Sequence, residues 1–92
     1  MLYMVIEHFR PGKVKEMYKR FDQNGRMAPD GVTYVNSWID EDVKVCYQLM
    51  ESPSREKLNE WISKWNDLVD FEVIPVISSG EAKAKILGAP AL

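Results

Sequence analysis

The chain has 92 residues, 46% of them hydrophobic and 28% charged, with a net charge of −2 at neutral pH. That balance belongs to a folded protein, and its basic residues are scattered among acids, which excludes the basic stripe of a nucleic-acid binder. One cysteine excludes an internal disulfide and fits a reducing compartment, while the apolar opening Met1–Ile6 ends at Glu7, too short for a signal core or a membrane span. The expectation is one cytoplasmic domain over residues 1–92, with no nucleic-acid or membrane partner.

Leu2 to Phe9 reads as a first strand, broken by Pro11-Gly12. Val14, Met17, Tyr18 and Phe21 then fall on one stripe of an amphipathic helix, which Asn24-Gly25 can stop. After a loop containing Pro29 and Gly31 comes a hairpin, Val32–Asp40 and Val43–Glu51, rich in the β-branched and aromatic residues that suit a pleated sheet. Its tip is expected as a tight turn at Glu41-Asp42. Ser52-Pro53 is an N-cap candidate with proline at the first helical position, and Leu58, Trp61, Ile62, Trp65 and Leu68 or Val69 mark the strongest helical stripe in the chain.

Asp70 to Ile77 is the last strand, with Pro75 pointing to a sheet edge because proline offers no ladder donor. Ser78-Ser-Gly-Glu81 has the spacing of a capping box, so a short helix through about Leu87 follows, and Ala89–Leu92 is expected as a loose tail. The order is βαββαβ with a short C-terminal helix. Two split β-α-β units interlock into a four-stranded antiparallel sheet, a ferredoxin-like α+β plait.

Side-chain parity separates two faces of that sheet. One carries Tyr34, Asn36, Trp38, Tyr47 and Leu49; the other carries Val35, Ser37, Ile39, Cys46, Gln48 and Met50. The bulkier set, with Met4 and Ile6, is expected under the two main helices. The remaining face would then leave Tyr3, Val5, Val35, Ile39, Cys46, Met50 and Ile74 in water, more than monomers usually tolerate. A second copy stacked sheet to sheet about a two-fold axis is the economical cover, so a homodimer through the sheet face is expected.

The stretches Met4-Val-Ile-Glu-His-Phe9, Thr33-Tyr-Val-Asn-Ser-Trp38, Cys46-Tyr-Gln-Leu-Met-Glu51, Trp61–Leu68 and Phe71-Glu-Val-Ile-Pro-Val76 occur together in order. In them the chain resembles a small uncharacterised bacterial family known only as a domain of unknown function. That family's fold is similar to the dimeric α/β barrel superfamily, which includes cofactor-independent monooxygenases, haem-degrading enzymes and lactone isomerases. The resemblance implies the fold and the dimeric α/β barrel; it implies no particular chemistry, because one scaffold carries many.

Tyr34, Asn36, Trp38 and Tyr47 share a face, and three of them put a polar tip on an aromatic body. Together with His8, the only histidine, and Trp61 and Trp65 they are the candidate ligand-binding residues for a small hydrophobic or aromatic molecule. Each has a plainer reading: an aromatic core, a helix stripe, and a strand-end histidine with one hydrogen bond. Cys46 reads as a small buried hydrophobe. Glu7 and Gln48 are polar groups in apolar strands that either bond across the dimer face or line a small lumen between the two sheets. No metal site is expected, no cofactor is called for, and the three carboxylates of Asp40-Glu41-Asp42 lack the loop of a calcium site. Three functions stay open: a homodimeric small-molecule-binding module, a cofactor-independent monooxygenase- or isomerase-like enzyme on a hydrophobic aromatic substrate, and a non-catalytic interaction subunit. Whether the protein is an enzyme at all is left undecided. A binding site should show a cavity of roughly 300 Å³ or more with convergent polar groups.

Overall fold

A computed structural model describes residues 1–88 of the chain; the expected loose tail, 89–92, lies outside the described residues. The elements run β1 (Leu2–Phe9), α1 (Val14–Asn24), β2 (Thr33–Ile39), β3 (Val45–Glu51), α2 (Arg55–Ile62), β4 (Val69–Val76) and α3 (Ser79–Leu87). The strands pair antiparallel in the order β2-β3-β1-β4, so this is the ferredoxin-like α+β plait. Pro75 does lie on an edge strand, β4.

Local chemistry explains where the elements begin and end. Ser78 Oγ accepts the Glu81 amide at 3.1 Å, which realises the capping box of α3. The N-cap of α2 is Ser54 rather than Ser52: Ser54 Oγ accepts from the Lys57 amide at 3.2 Å, while buried Ser52 donates to the Ser54 carbonyl. The helix stops at Ile62, sooner than its apolar stripe suggested. Ser63 Oγ donates to the Glu60 carbonyl at 2.7 Å and competes with the helical ladder there. The chain goes on in i→i+3 turns from Trp61 to Leu68, which keep Trp65 and Leu68 on the buried side.

The hairpin tip is wider than a two-residue turn. The last β2–β3 pair is Ile39 with Cys46, and Asp40 Oδ1 closes the loop by accepting the amides of Lys44 and Val45, each at 2.7 Å. Within β2 the register slips at Val35, so Tyr34 lies opposite Met50 while Asn36 lies opposite Leu49. That bulge sends Tyr34 to the face opposite Asn36 and Trp38.

The helices cover the face opposite to the one expected. Tyr3, Val5, Phe9, Cys46, Met50 and Val69 of the sheet pack with Met17, Leu58, Trp61, Trp65 and Leu68. Two tryptophans from the α2 region supply much of the bulk between the layers, over a sheet face that mixes small side chains such as Val5, Cys46 and Val69 with Tyr3, Phe9 and Met50. Trp38 and Tyr47, 54% and 42% exposed, point the other way with Met4, Ile6, Leu49 and Ile74. No helix of the described residues is long and apolar enough to cross a membrane.

Candidate functional site

The helix layer does not close over the whole sheet. Met17 of α1 is buried, but Tyr18 and Phe21 on the same stripe stay half-exposed, as do Ser37 and Ile39 of β2 beneath them. Between α1, the α2 region and the sheet lies a cavity of about 220 Å³. Its walls are largely apolar, with Phe9 and Ile39 from the sheet, Met17 and Phe21 from α1, and the rings of Trp61 and Trp65. Its polar groups converge from three directions: Glu7 and Gln48 on neighbouring strands, Ser37 on β2 and Arg26 from the α1–β2 loop. The volume falls short of the roughly 300 Å³ expected of a binding site, although polar groups do converge on it, and it has room only for a smaller ligand.

Glu7 is the unusual member. It is 9% exposed, and its Oε2 has no hydrogen-bond partner among the described residues. Burial raises its carboxyl from 4.5 to about 7, against the opposing pull of the Arg26 charge. Burial also drives the Cys46 thiol up to about 12, helped by the negative charge of Glu7, so Cys46 is a packed hydrophobe and no nucleophile. The Tyr18 hydroxyl is raised for the same reasons, burial first and then Cys46 and Glu7.

Arg26 is held in place from behind. Its carbonyl accepts both indole N–H groups, from Trp61 at 3.0 Å and from Trp65 at 2.9 Å. These bonds fix the loop over the α2 region and use up the only polar atoms of the two tryptophans, which therefore face the cavity as bare rings. The guanidinium lies 3.5 Å from the centre of the Tyr34 ring and 5.2 Å from that of Phe21, and its Nε donates to Gln48 Oε1 at 3.4 Å.

Of the residues expected from the sequence, Trp61 and Trp65 line this cavity. Tyr34 stands beside it, its hydroxyl 2.9 Å from Ser37 Oγ and its ring under Arg26. Asn36, Trp38 and Tyr47 lie on the uncovered face of the sheet, where Asn36 Oδ1 accepts the Ser37 amide. His8 is on that face too, its Nε2 2.6 Å from Glu72 Oε1 in an exposed pair. The expected cluster of Tyr34, Asn36, Trp38 and Tyr47 under the helices is therefore not assembled there. Glu7 and Arg26 take its place. The sequence flagged Glu7 as a polar residue in an apolar strand, in phase with Tyr3, Val5 and Phe9, but nothing local marked Arg26.

Among the described residues no group of three His, Cys, Asp or Glu side chains is placed to hold a metal ion. A larger groove of about 620 Å³ runs between the Met1 end of the sheet and α3, lined by exposed and half-buried residues such as Glu51, Val76, Glu81 and Lys85. None of its polar groups is buried, so nothing there calls for a ligand.

Comparison with known proteins supports the architecture. A solved structure, Rv0793 from Mycobacterium tuberculosis, is similar with a TM-score of 0.52 and 18% identity, over 86% of this chain and 98% of that one. At that identity the likeness shows the fold alone. No curated protein matches the chain. The family model of DUF3303, a domain of unknown function, matches residues 1–89, and the chain belongs to that family.

Proposed function

We propose that the protein is a homodimeric small-molecule-binding α/β barrel module that holds its ligand in the Glu7 cavity. The observation that carries this reading is the unpartnered Oε2 of Glu7 on the wall of an apolar cavity. A buried polar atom without a partner costs about 1–3 kcal/mol, and a ligand that donates to it recovers that cost. The size of the cavity suits a ligand of one or two rings.

The uncovered sheet face supports the dimer. Met4, Ile6, Trp38, Val45, Tyr47, Leu49 and Ile74 share it, and among the described residues no helix packs on it. Strands spaced about 4.8 Å apart, with a rise of about 3.3 Å per residue, make this face roughly 19 by 25 Å. A stable interface needs on the order of 800 Å² of accessible surface from each partner, more than the roughly 475 Å² projected area of this face, so its side-chain relief and surface beyond the sheet would both have to be covered. The α3 helix, with no buried residue and with Ile86 and Leu87 exposed, adds surface that a second copy would cover.

A second reading, an isomerase-like enzyme, is favoured by one further observation. A carboxyl near 7 is matched to proton transfer at neutral pH, and Glu7 is such a group inside a cavity. The oxygenase alternative has less support, since Asn36, Trp38 and Tyr47 do not share the cavity with Trp61 and Trp65.

Native mass spectrometry of the protein as purified tests assembly and ligand together. The expected result is twice the chain mass of 10.7 kDa, with a retained small molecule. A clean monomer at micromolar concentration refutes the dimer. A bare dimer whose cavity tryptophans show no saturable response to small aromatic probes, read in a Trp38→Phe background, refutes the binding site and favours an interaction subunit.

A further inference from the structure

We infer that the Glu7 cavity selects a flat molecule of one or two fused rings whose edge carries an N–H or O–H donor beside a carbonyl oxygen, the donor meeting Glu7 Oε2 and the oxygen meeting Arg26. This inference rests on the reading of the cavity as a ligand site and names the chemistry that fits it.

Two groups set the requirement. Glu7 offers a buried acceptor atom that no donor of the described residues satisfies. Arg26 lines the same cavity; among the described residues its side chain bonds only through Nε, to Gln48, and it forms no ion pair with Glu7. Glu7 lies opposite Cys46, and Gln48, two residues along that strand on the same face, takes the Arg26 Nε hydrogen bond instead. The acceptor and the cation thus face one space without closing on each other.

The alternatives fit less well. A simple cation would pair with Glu7 but meet Arg26, and a simple anion would satisfy Arg26 but meet Glu7 wherever that carboxyl is ionised. A neutral edge with adjacent donor and acceptor, as in a lactam or an enolised carbonyl, satisfies both. Arg26 is also preorganised for the role, since two indole N–H groups hold its carbonyl and two aromatic rings flank its guanidinium. Much of the remaining lining is ring and aliphatic surface, from Phe9, Phe21, Ile39, Trp61 and Trp65 with the indole donors already committed, while the polar Gln48 and Ser37 already bond to Arg26 and Tyr34. An apolar cavity of about 150 Å³ is enough for benzene. The 220 Å³ here therefore admits one ring comfortably and a fused pair tightly.

The test uses 2-quinolinone, which carries the donor–acceptor edge, and N-methyl-2-quinolinone, which has the same ring and carbonyl without the donor. Both are titrated into the wild-type protein by calorimetry up to about 1 mM. The expected result is saturable binding of 2-quinolinone with the N-methyl compound at least tenfold weaker, and loss of that difference in Glu7→Leu. An Arg26→Met variant should weaken both compounds, because both keep the carbonyl. Equal binding of the two compounds to the wild type overturns the proposed pairing and leaves the small-molecule reading standing. A tenfold preference that survives in Glu7→Leu also overturns it, since the donor would then be met elsewhere. No binding of either compound overturns the pairing, and the same Trp38→Phe titration with unrelated aromatic probes decides whether the binding-site reading falls with it.

Discussion

Replacing Glu7 by glutamine should stabilise the protein, and only at neutral and alkaline pH. The carboxyl titrates at about 7 in the folded protein against an ordinary 4.5, because burial disfavours its charge more than Arg26 favours it. Between those two values the folded protein holds a proton that the unfolded chain has released, so stability falls as pH rises through the window. The full difference is about 3 kcal/mol, at 1.36 kcal/mol for each pH unit of displacement. Glutamine has the same shape and never ionises. At pH 8 the variant should be more stable by about 2–3 kcal/mol, a rise of roughly 10–20 °C in Tm for a domain of this size. At pH 4 the two proteins should be nearly equal, a neutral amide standing in for a neutral acid. Urea unfolding followed by tryptophan fluorescence between pH 4 and 8, at one protein concentration, measures the difference curve. Asp67 does not confuse it. The Arg20 guanidinium grips that carboxylate and holds it at about 2, so its contribution is lost only as pH falls from the ordinary 3.8 towards 2, below the Glu7 window. A wild-type stability that is flat from pH 4.5 to 7.5, or a Glu7→Gln variant that keeps the wild-type slope, would refute the reasoning.

Leu49→Lys, in the middle of the uncovered sheet face, should leave the circular dichroism spectrum unchanged and weaken self-association on the order of 100-fold or more, read by sedimentation, because a charge would be buried at the interface. Trp61→Phe and Trp65→Phe each remove one of the two donors to the Arg26 carbonyl. Each should cost about 0.5–1.5 kcal/mol for the hydrogen bond lost, and the double variant more than their sum, since only then is the carbonyl left without an indole partner; urea unfolding of all four proteins measures the coupling. Val43 sits in the hairpin tip at φ 57°, a left-handed conformation in which a β-branched residue is strained. Val43→Asn should therefore stabilise the protein by about 1 kcal/mol in the same assay, and a loss of stability would show that the conformation carries no strain.

Periodicity and punctuation carried most of the fold. The change from period two to the helical stripe at Val14, the Pro11-Gly12 break and the Ser78 capping box are local signals, and the structure realises each of them. What parity could not supply was an extra residue. The bulge at Val35 turns Tyr34 over, and no composition signal marks it. Nor could bulk on the sheet tell which face is covered. That depends on how the helices pack, and Trp61 and Trp65 of the α2 region come down on the face of Tyr3, Val5, Cys46 and Met50. Arg26 was invisible for another reason. It reaches the cavity because two tryptophans some 35 and 39 residues away hold its carbonyl, a constraint with no local trace.

The same comparison bears on why Glu7 is a glutamate. A domain of 92 residues has a total stability of about 5–15 kcal/mol, so a buried acid that costs about 3 kcal/mol at neutral pH takes a large share of it. Glutamine or leucine would fill the space more cheaply. Stability alone therefore does not account for the residue, and an electrostatic partner does not either, since Arg26 lies near enough to be felt but forms no ion pair with it. Positions where a sequence departs from what its fold asks are where function is to be sought. In this chain the departure falls on the wall of the helix-side cavity, next to an arginine whose terminal nitrogens have no acceptor among the described residues, which is the arrangement a bound donor–acceptor edge would complete.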